Sequence, residues 1–344
     1  MGVDGVEQSP AGLVSVIIVN FNGANVITGC LQSVFAQPYR PLEVIVVDNA
    51  STDGSTGTIA REFPDVHLIA SQRNLGFAEG NNLGVARARG EYMVLLNNDT
   101  VVGERWLTAL LEMLKRPNVA AVTSRVVTEN VPAEFYERNG TINYMGYNIM
   151  REFADLSQVF FAGGASLMFR KEDAGPPFPD EYFLYHEDVY LSWRLRLMGK
   201  TVAMAQQSVV HHKGSAATRR QSTQLVTYYQ ERNRLLNALI LYEGWTLVRL
   251  IPYFIADAVA KILLSLITGR KSAVGILQGY WWVLSHPGWI GRKRKELQRV
   301  RVVPDREVMK MMSSKIIDGE SVPAKPVNGL SRFYAQVVGL AFHE

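Results

Sequence analysis

Short β-branched runs alternate with stretches of helical period along the first two hundred residues, and each run stops abruptly at a polar cluster. No other feature constrains the fold as much. Val14-Ser15-Val16-Ile17-Ile18-Val19 predicts a buried strand, and Asn20-Phe21-Asn22-Gly23 after it predicts a turn. Residues 24–36 follow with helical spacing, placing Val26, Ile27, Leu31, Val34 and Phe35 on one face before Pro38 and Pro41 end the element. Cys30 lies beside that face as a small core filler. Glu43-Val44-Ile45-Val46-Val47 is a second strand, followed at once by Asp48-Asn49-Ala50-Ser51-Thr52-Asp53-Gly54-Ser55. A third run at 66–70 precedes Asn74-Leu75-Gly76-Phe77 and a helix that Gly90 stops. Tyr92-Met93-Val94-Leu95-Leu96 then ends in Asn97-Asn98-Asp99. Alternation of this kind predicts an α/β fold with a mainly parallel sheet covered on both faces. Such sheets gather ligands at the carboxyl ends of their strands, which here carry Asn20, Phe21, Asp48 and Asp99.

Composition narrows the function classes. A chain of 344 residues, 47% hydrophobic and 20% charged, can fill a large α/β core with an appendage, and wholesale disorder is excluded. The formal charge of +4 is too small to argue for nucleic acid, and no groove-reading motif accompanies the basic residues. A single cysteine excludes an intrachain disulfide and points to a reducing compartment. Asp4 and Glu7 interrupt an N-terminus without an apolar core, so no signal peptide and a cytoplasmic location are expected. A nicotinamide-dependent dehydrogenase would need Gly-x-Gly-x-x-Gly where the chain has Asn20-Phe21-Asn22-Gly23. The glycine-rich, basic start of a sugar nucleotidylyltransferase is also missing. A non-catalytic sugar-nucleotide-binding module remains an alternative.

Four polar clusters carry chemistry. Asp48, at a strand end, can accept from an imide N–H or a ribose hydroxyl, or simply build an Asx-turn or helix cap. Asn97-Asn98-Asp99 is an acidic tip able to hold a divalent cation through oxygen, or again a turn. Glu187 and Asp188 start a helix after Phe183-Leu184-Tyr185-His186. The macrodipole favours acids in a first turn, while acids set among rings acquire pKa values nearer the working pH, as a general base requires. His211-His212 closes an apolar pair and is a candidate metal ligand. Gly163-Gly164, within a strand-like run, marks close approach by backbone or ligand.

In order and spacing, Val16-Ile17-Ile18-Val19-Asn20-Phe21-Asn22, Val46-Val47-Asp48-Asn49-Ala50-Ser51-Thr52-Asp53-Gly54-Ser55, Asn74-Leu75-Gly76-Phe77, Leu95-Leu96-Asn97-Asn98-Asp99 and Tyr185-His186-Glu187-Asp188 resemble family 2 glycosyltransferases. The resemblance is to their rhamnosyltransferase-like branch and covers about 13–215. It implies a GT-A fold, a Rossmann-like, mainly parallel mixed sheet with helices on both faces, here with a C-terminal helical extension. It further implies that Val19, Phe21 and Asp48 cradle the base and ribose of a dTDP- or UDP-sugar, that Asn74 and Gly76 line the same pocket, and that Asn98 belongs with the donor site. Asp99 matches the last acid of the family's Asp-x-Asp motif for Mg2+ or Mn2+, and His212, with His211 as alternate, matches a histidine completing the metal shell. Asp188 matches the general base, with Glu187 beside it. Gly163 and Gly164 fall where the sheet floor meets donor sugar and acceptor. Asn97 replaces the first acid of Asp-x-Asp, so the metal would rest on one carboxylate, an imidazole and the diphosphate. The implied reaction is inverting transfer of rhamnose or a similar hexose to a glycan or polyprenyl-diphosphate-linked acceptor.

Organisation is expected as a flexible 1–12, a catalytic domain at 13–217, a helical region at 218–303 and a tail at 304–344 with one amphipathic piece at 333–342. Residues 245–267 are long enough to span a bilayer. However, Arg249, Asp257 and Lys261 fall on about a third of the helix circumference. An amphipathic helix lying on a surface is therefore expected, against a membrane or against the catalytic domain. Tyr280-Trp281-Trp282 and Trp289 before Arg292-Lys293-Arg294-Lys295, with Arg299 and Arg301, suit anionic lipid headgroups, the alternative being a solvated basic helix. Peripheral attachment to the inner face of the cell membrane follows as an expectation, with a homo-oligomer left open.

Overall fold

The first strand, β1 (Val14–Asn20), is buried along its length except at Val19 and lies between two parallel neighbours. The structure, a computed structural model, describes residues 10–128, 139–151, 159–213, 222–268, 272–316 and 324–340. They divide into two units built from interleaved segments: one from within 1–129, 163–181 and 205–215, the other from within 130–162, 182–204 and 216–344. Described residues from within 130–162 and 182–204 thus group with those after 216 in the second unit, a division different in kind from the single boundary expected near 218.

The first unit is an eight-stranded sheet. β2 (Leu42–Asp48), β3 (Val66–Ala70) and β4 (Tyr92–Asn97) join β1 in parallel, in the order β3-β2-β1-β4. Asn20 pairs with Asp48, Asp48 with Ala70 and Val19 with Asn97, so the four strands finish side by side, three of them on a polar residue. Beyond β4 the sheet continues through β9 (Ser166–Arg170), β6 (Val119–Thr128), β10 (Thr201–His212) and β5 (Thr100–Val102), with antiparallel pairing at β4–β9, β9–β6 and β10–β5. The sheet is mixed, as expected: its parallel part is β3-β2-β1-β4, and antiparallel pairing begins after β4, where the strand–helix alternation stops at Asp99. A buried polar ring pins the second half. Trp106 Nε1 donates to Ser166 Oγ, Ser124 Oγ lies 2.7 Å and 2.8 Å from the hydroxyls of Ser166 and Ser208, and Ser208 donates to Trp106 O.

Helices α1 (Ile27–Phe35), α2 (Ser55–Glu62), α3 (Gly76–Arg87), α4 (Trp106–Leu114) and α5 (Lys171–Ala174) surround this sheet. α1 starts three residues later than its spacing suggested, because the Gly23 carbonyl accepts from both Val26 and Ile27 in a turn. Cys30 is fully buried, and that burial pushes its thiol up to about 12, so it is an inert filler. α3 seats directly on β1 at Gly84, where any Cβ would come 2.4 Å from Ile17 Cγ2.

The second unit holds the hairpin β7 (Asn139–Ile142) and β8 (Asn148–Arg151) with α6 (Glu187–Leu197), α7 (Thr223–Leu241), α8 (Gly244–Thr268), α9 (Ala273–Ser285), α10 (Pro287–Val300), α11 (Asp305–Met309) and α12 (Ala324–Val337). A buried charge network joins α7 to α8: Arg234 reaches Glu231 and Asp257 at 3.0 Å each, and Lys261 reaches the same two acids at 2.6 Å and 2.8 Å. The Tyr147 hydroxyl adds a bond to Asp257 at 2.9 Å. The polar stripe of α8 is therefore its packed side. Arg294 and Arg301, from the basic run, donate to the last carbonyls of α7 at Leu239, Leu241 and Tyr242. Residues 304–316 are no loose tail: Asp305 is buried against Arg301 at 2.8 Å, and Met309 and Met312 join the core. α12 begins nine residues before the amphipathic piece expected there.

Candidate active site

The carboxyl ends of β1, β2 and β4 assemble a polar cluster around Asn20, which is completely buried. Its amide nitrogen reaches Asp48 Oδ1 at 3.0 Å, Ser51 Oγ at 3.2 Å and Ser55 Oγ at 2.9 Å, while its oxygen accepts from Asn98 Nδ2 at 3.0 Å. Asp48 is buried too, and its Oδ2 accepts from the Ser51 backbone N–H, so the Asx-turn geometry is present. Gly23 closes the cluster from one side: a Cβ there would lie 2.2 Å from Asn20 Oδ1 and 2.4 Å from Asn98 Nδ2. Phe21 is exposed next to it and Val19 is half-buried, touching the space above Gly80 of α3. Asn74 accepts from the Gly76 N–H at the start of α3, and the Gly76 carbonyl accepts from Asn49 Nδ2 at 2.8 Å. Gly76 itself sits at φ +70, where a Cβ is disfavoured. Asn49 Oδ1 is buried with no hydrogen-bond partner among the described residues.

Asp99 occupies the turn between β4 and β5. One carboxylate oxygen lies 3.0 Å from His212 Nε2, while the other, Oδ2, is buried and has no hydrogen-bond partner among the described residues. The antiparallel β10–β5 register explains the pairing: His212 is opposite Thr100, next to Asp99, whereas His211 is opposite Val101 and exposed. Asn97 Nδ2 approaches the same imidazole nitrogen at 3.3 Å. One carboxylate and one imidazole set side by side, with a buried oxygen left over, suit a divalent cation that takes its remaining ligands from elsewhere. Among the described residues no cluster of three acids, histidines or cysteines forms a complete cage. Gly163 and Gly164 lie in the turn before β9 rather than inside a strand, and nothing stands within 4 Å of where a Gly163 Cβ would be.

In the second unit, Glu187 and Asp188 begin α6 behind two consecutive left-handed residues, Tyr185 at φ 71 and His186 at φ 65. Non-glycine residues pay about 1–3 kcal/mol each to stay there, so something must hold them. Two buried asparagines of α7 do so. Asn233 Nδ2 donates to the Leu184 and Tyr185 carbonyls at 2.9 Å and 2.8 Å, and Asn237 Nδ2 donates to the His186 carbonyl at 2.9 Å. Tyr182 fixes Asn237 in turn through its hydroxyl at 2.7 Å. The two acids end up in different surroundings. Burial, followed by the charge of Asp188, pushes the Glu187 carboxyl up to about 8, and its Oε2 has no hydrogen-bond partner among the described residues. Asp188 is half-buried and accepts from the Val189 N–H through Oδ1.

Residues 15–175 match the model of Glycosyl transferase family 2. That stretch, a little under half of the chain, is similar to family 2 glycosyl transferases. Glycosyltransferase GlyG of Streptococcus pneumoniae is 28% identical over 32% of this chain and 38% of its own length, so this chain spans well under half of that relative. The low-salt glycan biosynthesis hexosyltransferase Agl10 of Haloferax volcanii is 23% identical over 78% of the chain and 95% of that protein. The solved structure of GalNAc-T7 with UDP, GalNAc and Mn2+ superposes with a TM-score of 0.58 at 14% identity, covering 79% of this chain and 57% of that one. The likeness shows a GT-A fold, with the C-terminal helices added.

Sequence reasoning had named Asp99, His212, Asp48, Asn98 and the Glu187-Asp188 pair. It placed Asn20 at a ligand-gathering strand end without giving it a role, and gave none to Asn49, Gly23, Asn233 and Asn237. Asn20 ends a strand beside two named residues, which was signal enough. Asn233 and Asn237 lie four residues apart on a helix, and no local pattern says which loop they hold.

Proposed function

We propose that this chain is an inverting glycosyltransferase that moves rhamnose or a similar hexose from a dTDP- or UDP-sugar to a glycan or polyprenyl-diphosphate-linked acceptor at the inner face of the cell membrane. The observation that carries the reading is Asp99, with one buried oxygen unpartnered among the described residues and the other against His212, at the carboxyl end of the parallel strands. Mg2+ or Mn2+ held by Asp99 and His212 would supply charge neutralisation for the diphosphate leaving group. Asp48, held by Asn20, presents its remaining lone pairs to the nucleoside, with Val19, Phe21, Asn74, Gly76 and Asn98 around it. Asp188 accepts the proton of the acceptor hydroxyl as that oxygen attacks the anomeric carbon from the face opposite the departing nucleoside diphosphate. Glu187, kept protonated by burial at neutral pH, adds no second negative charge beside it. One base and no separate nucleophile give a single displacement, hence inversion. The Mn2+ and UDP of the GalNAc-T7 structure and the hexosyl transfer named for Agl10 support the donor chemistry.

A thermal-shift panel tests the donor half. UDP- or dTDP-sugars should raise the melting temperature more with Mn2+ than without it, and Asp99→Asn should remove the Mn2+ increment. Asp188→Asn should keep the donor shift and lose transfer by about 10²-fold or more. Equal shifts with and without metal in the parent protein, or full transfer by Asp188→Asn, would refute these assignments.

A further inference from the structure

Helix α8 is built inside out. Its charges Asp257 and Lys261 are drawn into the buried network with Glu231 and Arg234, while Trp245, Val248, Ile255, Val259, Leu263 and Leu266 stand between 49% and 70% exposed. Steps of three, four and seven place these six on one stripe of the helix, opposite the packed face. An isolated exposed leucine is ordinary, but a stripe this long in an apolar helix marks an interaction surface. Two helices that pack on α8 repeat the pattern. On α9, Val274, Leu277, Trp281 and Leu284 are all more than half exposed at helical spacing, and on α12 Leu330, Phe333 and Val337 are exposed in the same way. α12 is fastened to α8 by hydrogen bonds from Tyr334 to the Arg249 carbonyl and from Tyr253 to the Ser331 carbonyl.

We infer that this face of α8, extended by α9 and α12, lies in the headgroup–acyl boundary of an anionic phospholipid bilayer. Gly244–Ile267 is long and apolar enough to cross a membrane, with mean hydropathy 1.9. Its other side, however, is held by protein through Asp257 and Lys261, which fits a helix lying along the surface rather than spanning. Charge selects the lipid. The adjoining α10 exposes Arg292, Lys295 and Arg299, and each such cation near an anionic leaflet adds to adsorption. The inference rests on the membrane part of the proposed function and names the surface responsible.

Flotation of the full chain with vesicles of pure phosphatidylcholine, or of phosphatidylcholine mixed with phosphatidylglycerol, tests it. The chain should float with the mixed vesicles and about tenfold less with the neutral ones. Ile255→Asp combined with Leu263→Asp should cut flotation by about tenfold or more, and so should Lys295→Glu with Arg299→Glu at low salt. All variants should melt within a few degrees of the parent and keep its UDP-induced shift, which separates failure of this surface from failure of the donor reading. No flotation on either vesicle, or equal flotation of parent and Ile255→Asp/Leu263→Asp, would overturn it. So would a dimer that this double variant dissociates without any vesicle binding, since a second copy would then cover the face.

Discussion

Two left-handed residues in a row, Tyr185 and His186, aim the first turn of α6, and the amides of Asn233 and Asn237 hold their carbonyls. Replacing Asn237 with alanine removes its bonds to the His186 carbonyl and the Tyr182 hydroxyl and should cost about 1–3 kcal/mol of stability. Transfer should suffer further. At a temperature where Asn237→Ala is still folded, kcat should fall by about tenfold or more while the donor-induced thermal shift is retained; parallel losses in both would mark a purely structural residue. Glu187 allows a pH experiment with a definite sign. Its folded pKa, about 8, lies above the ordinary 4.5, so the folded state holds a proton that the unfolded state has lost. The stability it confers is complete below about pH 4.5 and disappears as pH rises through about 8. Urea midpoints should therefore decline over that interval in the parent and decline less in Glu187→Gln. At this scale the legible part was residue type at strand ends. Pairing was not legible: Asp99 and His212 are distant in sequence, and only the β10–β5 register decides which of two adjacent histidines meets the acid.

Among the elements, α3 shows how little room packing can leave. The Gly84 Cβ position lies 2.4 Å from Ile17 Cγ2 in the middle of β1, so Gly84→Ala should shift helix from sheet and cost about 1–3 kcal/mol in a denaturant titration. The trimming variant Ile17→Val, combined with it, should recover part of the loss. Strand and helix order up to Asp99 was open to reading because each run is homogeneous and bounded by turn formers. α8 was readable only in part. Its spacing showed that the charges share a side, but whether that side faces water or protein depends on Glu231 and Arg234, which belong to another helix. A helical wheel carries no information about partners.

For the molecule as a whole, the four-charge network is the most exacting piece of packing. Asp257→Ala would remove one of the two acids that Arg234 and Lys261 share, leaving excess buried positive charge that should cost about 3–5 kcal/mol. Added salt should not restore it, since screening is weak for buried charges; restored stability in high salt would show that the network is open to water. Beyond β4 the sheet turns antiparallel, and its later strands are separated by segments without regular alternation, which is why half of the architecture escaped a linear reading.

The chain path has a consequence for anyone dissecting this protein. Because 182–204 pack with helices that come after 216, a fragment stopped at 217 would keep the codons for the proposed base and discard the scaffold that aims it. Neither half can be lent to another protein by a single splice. Fusion designs and domain transplants must carry the sequence through α7, whose Asn233 and Asn237 hold that turn.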